Sequence, residues 1–170
     1  MDSSKSKDEK LMLVMELIDE AVSILSTIDS EKDSETPLTS VAHSFLGKDA
    51  SPKDLAIDDL GCAESVSNIL RKHLGDFPII TGTWTLWQRL ENDSRFEKVS
   101  MPRSGDIIIS PTGTLANAPF PGHTGIMLDN TNVMANRSST GEWAVDYNLQ
   151  EWDDRWGSVG FPIYYYRLIG

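Results

Sequence analysis

A single cysteine, Cys62, stands in the 170 residues, so no internal disulfide can brace the fold and stability must come from a buried core. Long apolar runs are missing as well. The longest, LMLVMELI, is broken by Glu16, and the N-terminal MDSSKSKDEK is polar, so neither a membrane span nor a signal peptide is expected. Export, if it occurs, would then use a non-classical route. Positive charge is scarce: 15 Lys and Arg face 26 Asp and Glu, a formal net charge of −11. A nucleic-acid backbone or an anionic lipid surface is repelled by such a chain, which argues against nucleic acid as a partner. No internal repeat is present.

What remains is enough for one folded domain, since 39% of the residues are hydrophobic. From Asp8 to about Ile28, the apolar residues Leu11, Val14, Met15, Ile18, Val22, Leu25 and Ile28 recur at the spacing of one helical face. The following DSEKDSETP is charged and ends at Pro37, which predicts an N-terminal amphipathic helix and linker over 1–36 and a main domain over 37–170.

In the main domain helices come first. A short helix in PLTSVAHSFLGKD closes at Gly47, a capped turn in SPKDLAIDD leads to Cys62, and Val66, Ile69, Leu70 and Leu74 keep helical spacing until Gly75. A further helix fits TWTLWQRLEND. The pattern then turns to short strands: GDIIIS, HTGIMLD, NVMANRS, EWAVDYN and PIYYYRLI. Helices followed by strands predict an α+β fold with an antiparallel sheet rather than a doubly wound parallel one.

Cys62 opens its helix, the place where backbone N–H groups and the helix dipole favour a thiolate, and Gly61 keeps the approach uncrowded. A thiol nucleophile also needs a base. His73 lies eleven residues along the same helix, about 16 Å away at 1.5 Å per residue, out of reach. It reads as a cation at the helix C-terminus. His43 sits upstream on a short helix and is the weaker candidate. His123, in PGHTGIML, stands where a loop opens into a strand and can face a cleft, so it is the favoured base. A third polar group would steady the imidazole. Asn136, thirteen residues on, suits a hairpin that returns to the same sheet end, with Ser138 and Asp129 as alternatives.

Gly-Cys-Ala opening a helix, then Gly-Asp-Ile-Ile-Ile, Gly-His-Thr-Gly-Ile, and Asn-Arg-Ser with Gly-Glu-Trp, resembles the papain-like peptidoglycan hydrolases of the NlpC and CHAP type over about Thr39 to Arg167. The resemblance implies a papain-like fold and a Cys62, His123, Asn136 triad. It also implies cleavage of amide bonds in cell-wall stem peptides or cross-links, as an endopeptidase or an N-acetylmuramoyl-L-alanine amidase. Such an enzyme would be a phage lysin or an injected antibacterial effector acting on the wall, the latter with a cognate inhibitor protein as partner. Two departures stand out: the common Asp-Cys-Ser is Gly-Cys-Ala here, and no tyrosine or glutamine marks an oxyanion position upstream of Cys62.

Asp49, Asp54, Asp58 and Asp59 precede Cys62, and a calcium loop is one reading of them. Their spacing favours a solvated turn with capping aspartates, and no metal or cofactor is expected. Trp84, Trp87, Trp143, Trp152 and Trp156 read as core before groove. The long loop SPTGTLANAPFPG, directly before His123, is the better candidate for a substrate wall. Two rival functions remain: a cytosolic cysteine protease or transglutaminase-like enzyme acting on proteins, and a binding module in which Cys62 is merely buried.

Overall fold

The computed structural model describes residues 11–22, 36–52 and 61–170. The chain divides into two compact units, residues 1–34 and 35–170. In the first, residues 11–22 form helix α1. The rest of the expected first helix, and the turn carrying Asp54, Asp58 and Asp59, lie outside the described residues.

The second unit holds α2 (Pro37–His43), α3 (Cys62–Leu74), α4 (Thr83–Asn92), β1 (Phe96–Val99), β2 (Ile107–Ser110), β3 (His123–Met127), β4 (Asn132–Arg137), β5 (Glu142–Asn148), α5 (Leu149–Trp152) and β6 (Tyr164–Leu168). The six strands make one sheet, ordered β1-β6-β2-β3-β4-β5, with every neighbouring pair antiparallel. The expected antiparallel α+β architecture is therefore present. No described helix is long and apolar enough to cross a membrane.

Each helix has a local reason to begin and end. Thr36 caps α2 by accepting the Thr39 N–H, and Pro37 fills the first turn, where a missing N–H costs nothing. Gly75, at φ 85°, stops α3 in a backbone region that side chains disfavour. Along α3 the fully buried Val66, Ile69 and Leu70 pack with Ile107, Ile109, Ile126 and Met134 of the sheet. Each such side chain contributes on the order of 2 kcal/mol of apolar burial. The opposite sheet face buries Ile108, Met127 and Val133 under Trp152, Trp156 and Phe161. Burial on both faces explains why Ile107, Ile108 and Ile109 read as an unbroken apolar run instead of an alternation.

Two elements escape the sequence pattern. β1 carries FEKV, in which only Phe96 is buried, so no apolar alternation announces it. α5 is four residues long and is fixed by a capping box, with Asn148 accepting the Glu151 N–H and Glu151 accepting the Asn148 N–H. It runs into a π-helical turn, Asp153–Gly157, closed by Ser158 N–H to the Asp153 carbonyl at 2.8 Å.

The Gly-Asp pair before β2 has a structural duty. Gly105 sits at φ 84° with Thr36 packed where a Cβ would point. Asp106 is buried and accepts from the Arg167 guanidinium at 2.8 and 2.9 Å, tying β2 to β6.

Candidate active site

The register of the sheet decides which side chains share a face. Gly125 stands opposite Ala135 and Ile126 opposite Met134 across β3 and β4. Continuing the alternation, Thr124 falls opposite Asn136 and His123 opposite Arg137. Residues Thr124, Ile126, Met134 and Asn136 point to the face that α3 covers. His123 points to the other, with Ser110 as its β2 partner.

On that second face an aromatic enclosure holds the imidazole. The His123 ring stacks on Trp156 at 5.1 Å and on Trp152 at 5.4 Å, and Tyr147 meets it edge-on at 5.7 Å. The two indoles are themselves anchored: Trp152 Nε1–H donates to Ser110 Oγ at 3.1 Å and Trp156 Nε1–H to the Pro121 carbonyl at 3.2 Å. The ring is therefore fixed from three directions.

Cys62, the first residue of α3, reaches the same end of the sheet from the helix side. Its sulfur accepts hydrogen bonds from the backbone of Thr124, Ala63 and Cys62 itself. Cys62 and His123 line one cavity of about 60 Å³ together with Phe120, Pro121, Gly122, Ser138, Tyr147, Arg155 and Trp156. A second cavity, of about 290 Å³, adjoins it at Cys62, Pro121 and Gly122 and is walled by Thr81, Gly82, Thr83, Trp84 and Thr112. Cys62 thus stands where two cavities join.

The loop 111–122 builds the shared wall. Thr112 N–H donates to Thr83 Oγ1 at 2.9 Å, Thr83 Oγ1–H to Thr112 Oγ1 at 3.0 Å, and Gly122 N–H to Thr112 Oγ1 at 2.8 Å, so loop and α4 are stitched beside the thiol. Only glycine fits at 122, because a Cβ there would lie on the Ser110 carbonyl oxygen.

Burial acts on the charge of both groups. Burial is the main influence on Cys62 and, with a smaller push from Glu64, outweighs the backbone hydrogen bonds; the thiol rises from an ordinary 9.0 to about 11. Burial also holds the His123 imidazole down from 6.5 to about 3, and the Arg155 cation acts in the same direction. Burial thus opposes both the thiolate and the imidazolium, against the pull of the helix N-terminus on the thiol. Desolvation wins because Cys62 and His123 are only 8% and 6% exposed.

The other expected residues fall as follows. Asn136 is buried on the α3 face, opposite Trp143. Its Oδ1 and the His123 Nε2 are both buried without a hydrogen-bond partner among the described residues. Ser138 does line the cavity with Cys62 and His123. Asp129 accepts from Thr131 and Asn132 N–H in the β3–β4 turn, at the far end of β3. His43 is exposed in the last turn of α2, and His73 lines a separate cavity with Arg103, Asp106 and Arg167. Asp49 accepts from Ser51, and no group of metal-ligating side chains occurs among the described residues.

Of the five tryptophans, Trp143, Trp152 and Trp156 are core, whereas Trp84 is 40% exposed and walls the larger cavity. Sequence reasoning missed that Trp152 and Trp156, core in burial, are also the imidazole's immediate neighbours. It missed Tyr147 and Arg155 altogether. The WDDRW spacing carries a signal for the first two, since residues four apart share a helix face. Nothing in the pattern points that face at His123. No known family model matches the chain, and no curated protein is significantly similar to it.

Proposed function

We propose that the protein is a cysteine hydrolase that cleaves amide bonds in bacterial cell-wall peptides, with Cys62 as nucleophile and His123 as its base. One observation carries this reading: a thiol at a helix N-terminus and an imidazole at a strand's opening line the same cavity, and a larger cavity adjoins at the thiol. The substrate class rests on the resemblance to the NlpC and CHAP hydrolases, and with it the papain-like assignment of the fold.

Because burial disfavours the charged form of both groups, thiol deprotonation accompanies attack instead of preceding it. His123 accepts the Cys62 proton as the Sγ–carbon bond forms, and the tetrahedral intermediate collapses with loss of the C–N bond. The leaving amine takes the proton from the imidazolium. Water, deprotonated by His123, then hydrolyses the thioester and returns the free acid and the thiol. The Cys62 N–H at the start of α3 is suited to the developing oxyanion. Trp152, Trp156 and Tyr147 hold the imidazole in position, and Ser138, which lines the same cavity, is the polar side chain we assign to assist it.

A second reading has its own observation. A buried thiol and a buried imidazole in one cavity also suit a binding module that keeps the fold without the chemistry. The two readings part in an assay of wall clearing on purified peptidoglycan in a gel. The hydrolase reading requires clearing by the native protein and none by folded Cys62→Ala. Equal clearing by both, or clearing by neither, contradicts it.

A further inference from the structure

Arg155 projects from the π-helical turn and lines the cavity that contains Cys62 and His123. Its guanidinium carbon lies 5.2 Å from the Trp156 ring centroid and 5.4 Å from that of Phe120. Among the described residues it makes no ion pair and no hydrogen bond. Arg137, on the strand beside that of His123, is by contrast paired with Asp146 at 2.7 Å. Arg155 is therefore the cation of this cavity left with unused donors, and stacking on aromatic faces leaves its edge N–H groups open to a planar anion.

The two cavities at Cys62 differ in chemistry. The larger is walled by threonines, glycines, a proline and Trp84 and carries no charged side chain. The smaller holds the imidazole and the guanidinium. His123 must hand its proton to the leaving amine, so the amine side of a bound substrate occupies the cavity of His123 and Arg155, and the acyl side occupies the neutral one. The net charge of −11 repels anions at long range, which makes a single unpaired guanidinium at this point more than background.

We propose that Arg155 binds a free carboxylate on the leaving-amine side of the substrate, making the enzyme selective for peptides acidic at that position. This inference rests on the hydrolase reading for its substrate and on the cavity alone for its anion. A carboxylate docked on Arg155 also offsets the positive field that opposes protonation of His123, so binding an acidic substrate eases the proton transfer from the thiol.

The test uses the full chain as native protein, Arg155→Ala and Arg155→Lys. Cys62 is alkylated with iodoacetate and with iodoacetamide, reagents of similar size that differ in charge, and the rate ratio is measured. The neutral reagent reports that the cavity is intact. The ratio should fall about tenfold in Arg155→Ala and recover in part in Arg155→Lys, the size of one charge-assisted hydrogen-bonded contact. An unchanged ratio overturns the proposal. In parallel, kcat/KM is measured on synthetic wall peptides with a carboxylate or a carboxamide on the amine side. Amidation should cost the native enzyme about tenfold and Arg155→Ala nothing further; equal losses in both overturn the proposal. If no peptide is cleaved, the hydrolase reading fails, while the alkylation ratio still decides the role of Arg155.

Discussion

The resting charge state of the pair can be read directly by alkylating Cys62 with iodoacetamide across pH. Thiolate is the reacting form, so the rate follows its fraction. With the thiol at about 11 instead of 9.0, the thiolate fraction at pH 7 falls from about one in 100 to about one in 10,000, a hundredfold slowing before any loss of access. Access lowers the absolute rate further, because Cys62 is 8% exposed, so the shape of the profile is the discriminating quantity. A neutral pair predicts a rate that climbs about tenfold per pH unit from pH 6 to beyond pH 9, without a plateau. In urea the same thiol should turn over near its ordinary 9.0. The assay is quenched alkylation followed by intact-mass spectrometry, which counts one adduct because the chain has one cysteine. A plateau beginning near neutral pH, abolished by His123→Ala, would show a resting thiolate–imidazolium pair and refute the reasoning from burial.

Stability should depend on pH through the same two groups. His123 is depressed in the fold, so below pH 6.5 the unfolded chain binds a proton that the folded one refuses until about pH 3; stability is present above 6.5 and lost as pH falls across that window, by up to roughly 5 kcal/mol. Cys62 is raised, so its contribution is present below 9.0 and lost between 9.0 and about 11, by roughly 3 kcal/mol. Urea unfolding of native protein against His123→Phe isolates the first of these, and identical acid profiles would contradict it. Gly122→Ala should cost about 1–3 kcal/mol in urea unfolding, since its Cβ meets the Ser110 carbonyl, while Gly82→Ala, with open space at the same cavity, should cost little. Asn136→Ala should leave kcat nearly unchanged, whereas Ser138→Ala should lower kcat at unchanged stability; the reverse pattern would return the orienting role to Asn136.

Much of the architecture was legible because it depends on local pattern. The apolar spacing of α3 between Gly61 and Gly75, the all-apolar Ile107, Ile108 and Ile109, and the placing of α2, α3 and α4 ahead of the first strand are all written in the chain and all found in the fold. The site was legible as far as one residue dictates its own surroundings. Cys62 at a helix N-terminus and His123 at a strand's start follow from sequence, and the cavity they share follows from the packing that brings the first residues of α3 and β3 to one end of the sheet. Asn136 shows what spacing alone leaves open. A spacing of thirteen residues fits a hairpin equally well with the side chain on either face, and the face is set by the four-residue turn, Leu128–Thr131, that fixes which residue opposes which. The aromatic enclosure stayed hidden for a related reason. Trp152 and Trp156 reach His123 through a capping box and a π-helical turn, devices of a few residues that leave no period to detect.

The central claim is tested most directly by digesting purified peptidoglycan with the native protein and analysing the released fragments by mass spectrometry beside a folded Cys62→Ala control. The account predicts fragments bearing a newly freed amine or carboxyl at one amide position, their masses together exceeding that of the uncut species by one water, and none in the control. Intact stem peptides and cross-links after exhaustive incubation with native protein, or the same fragments from Cys62→Ala, would contradict it.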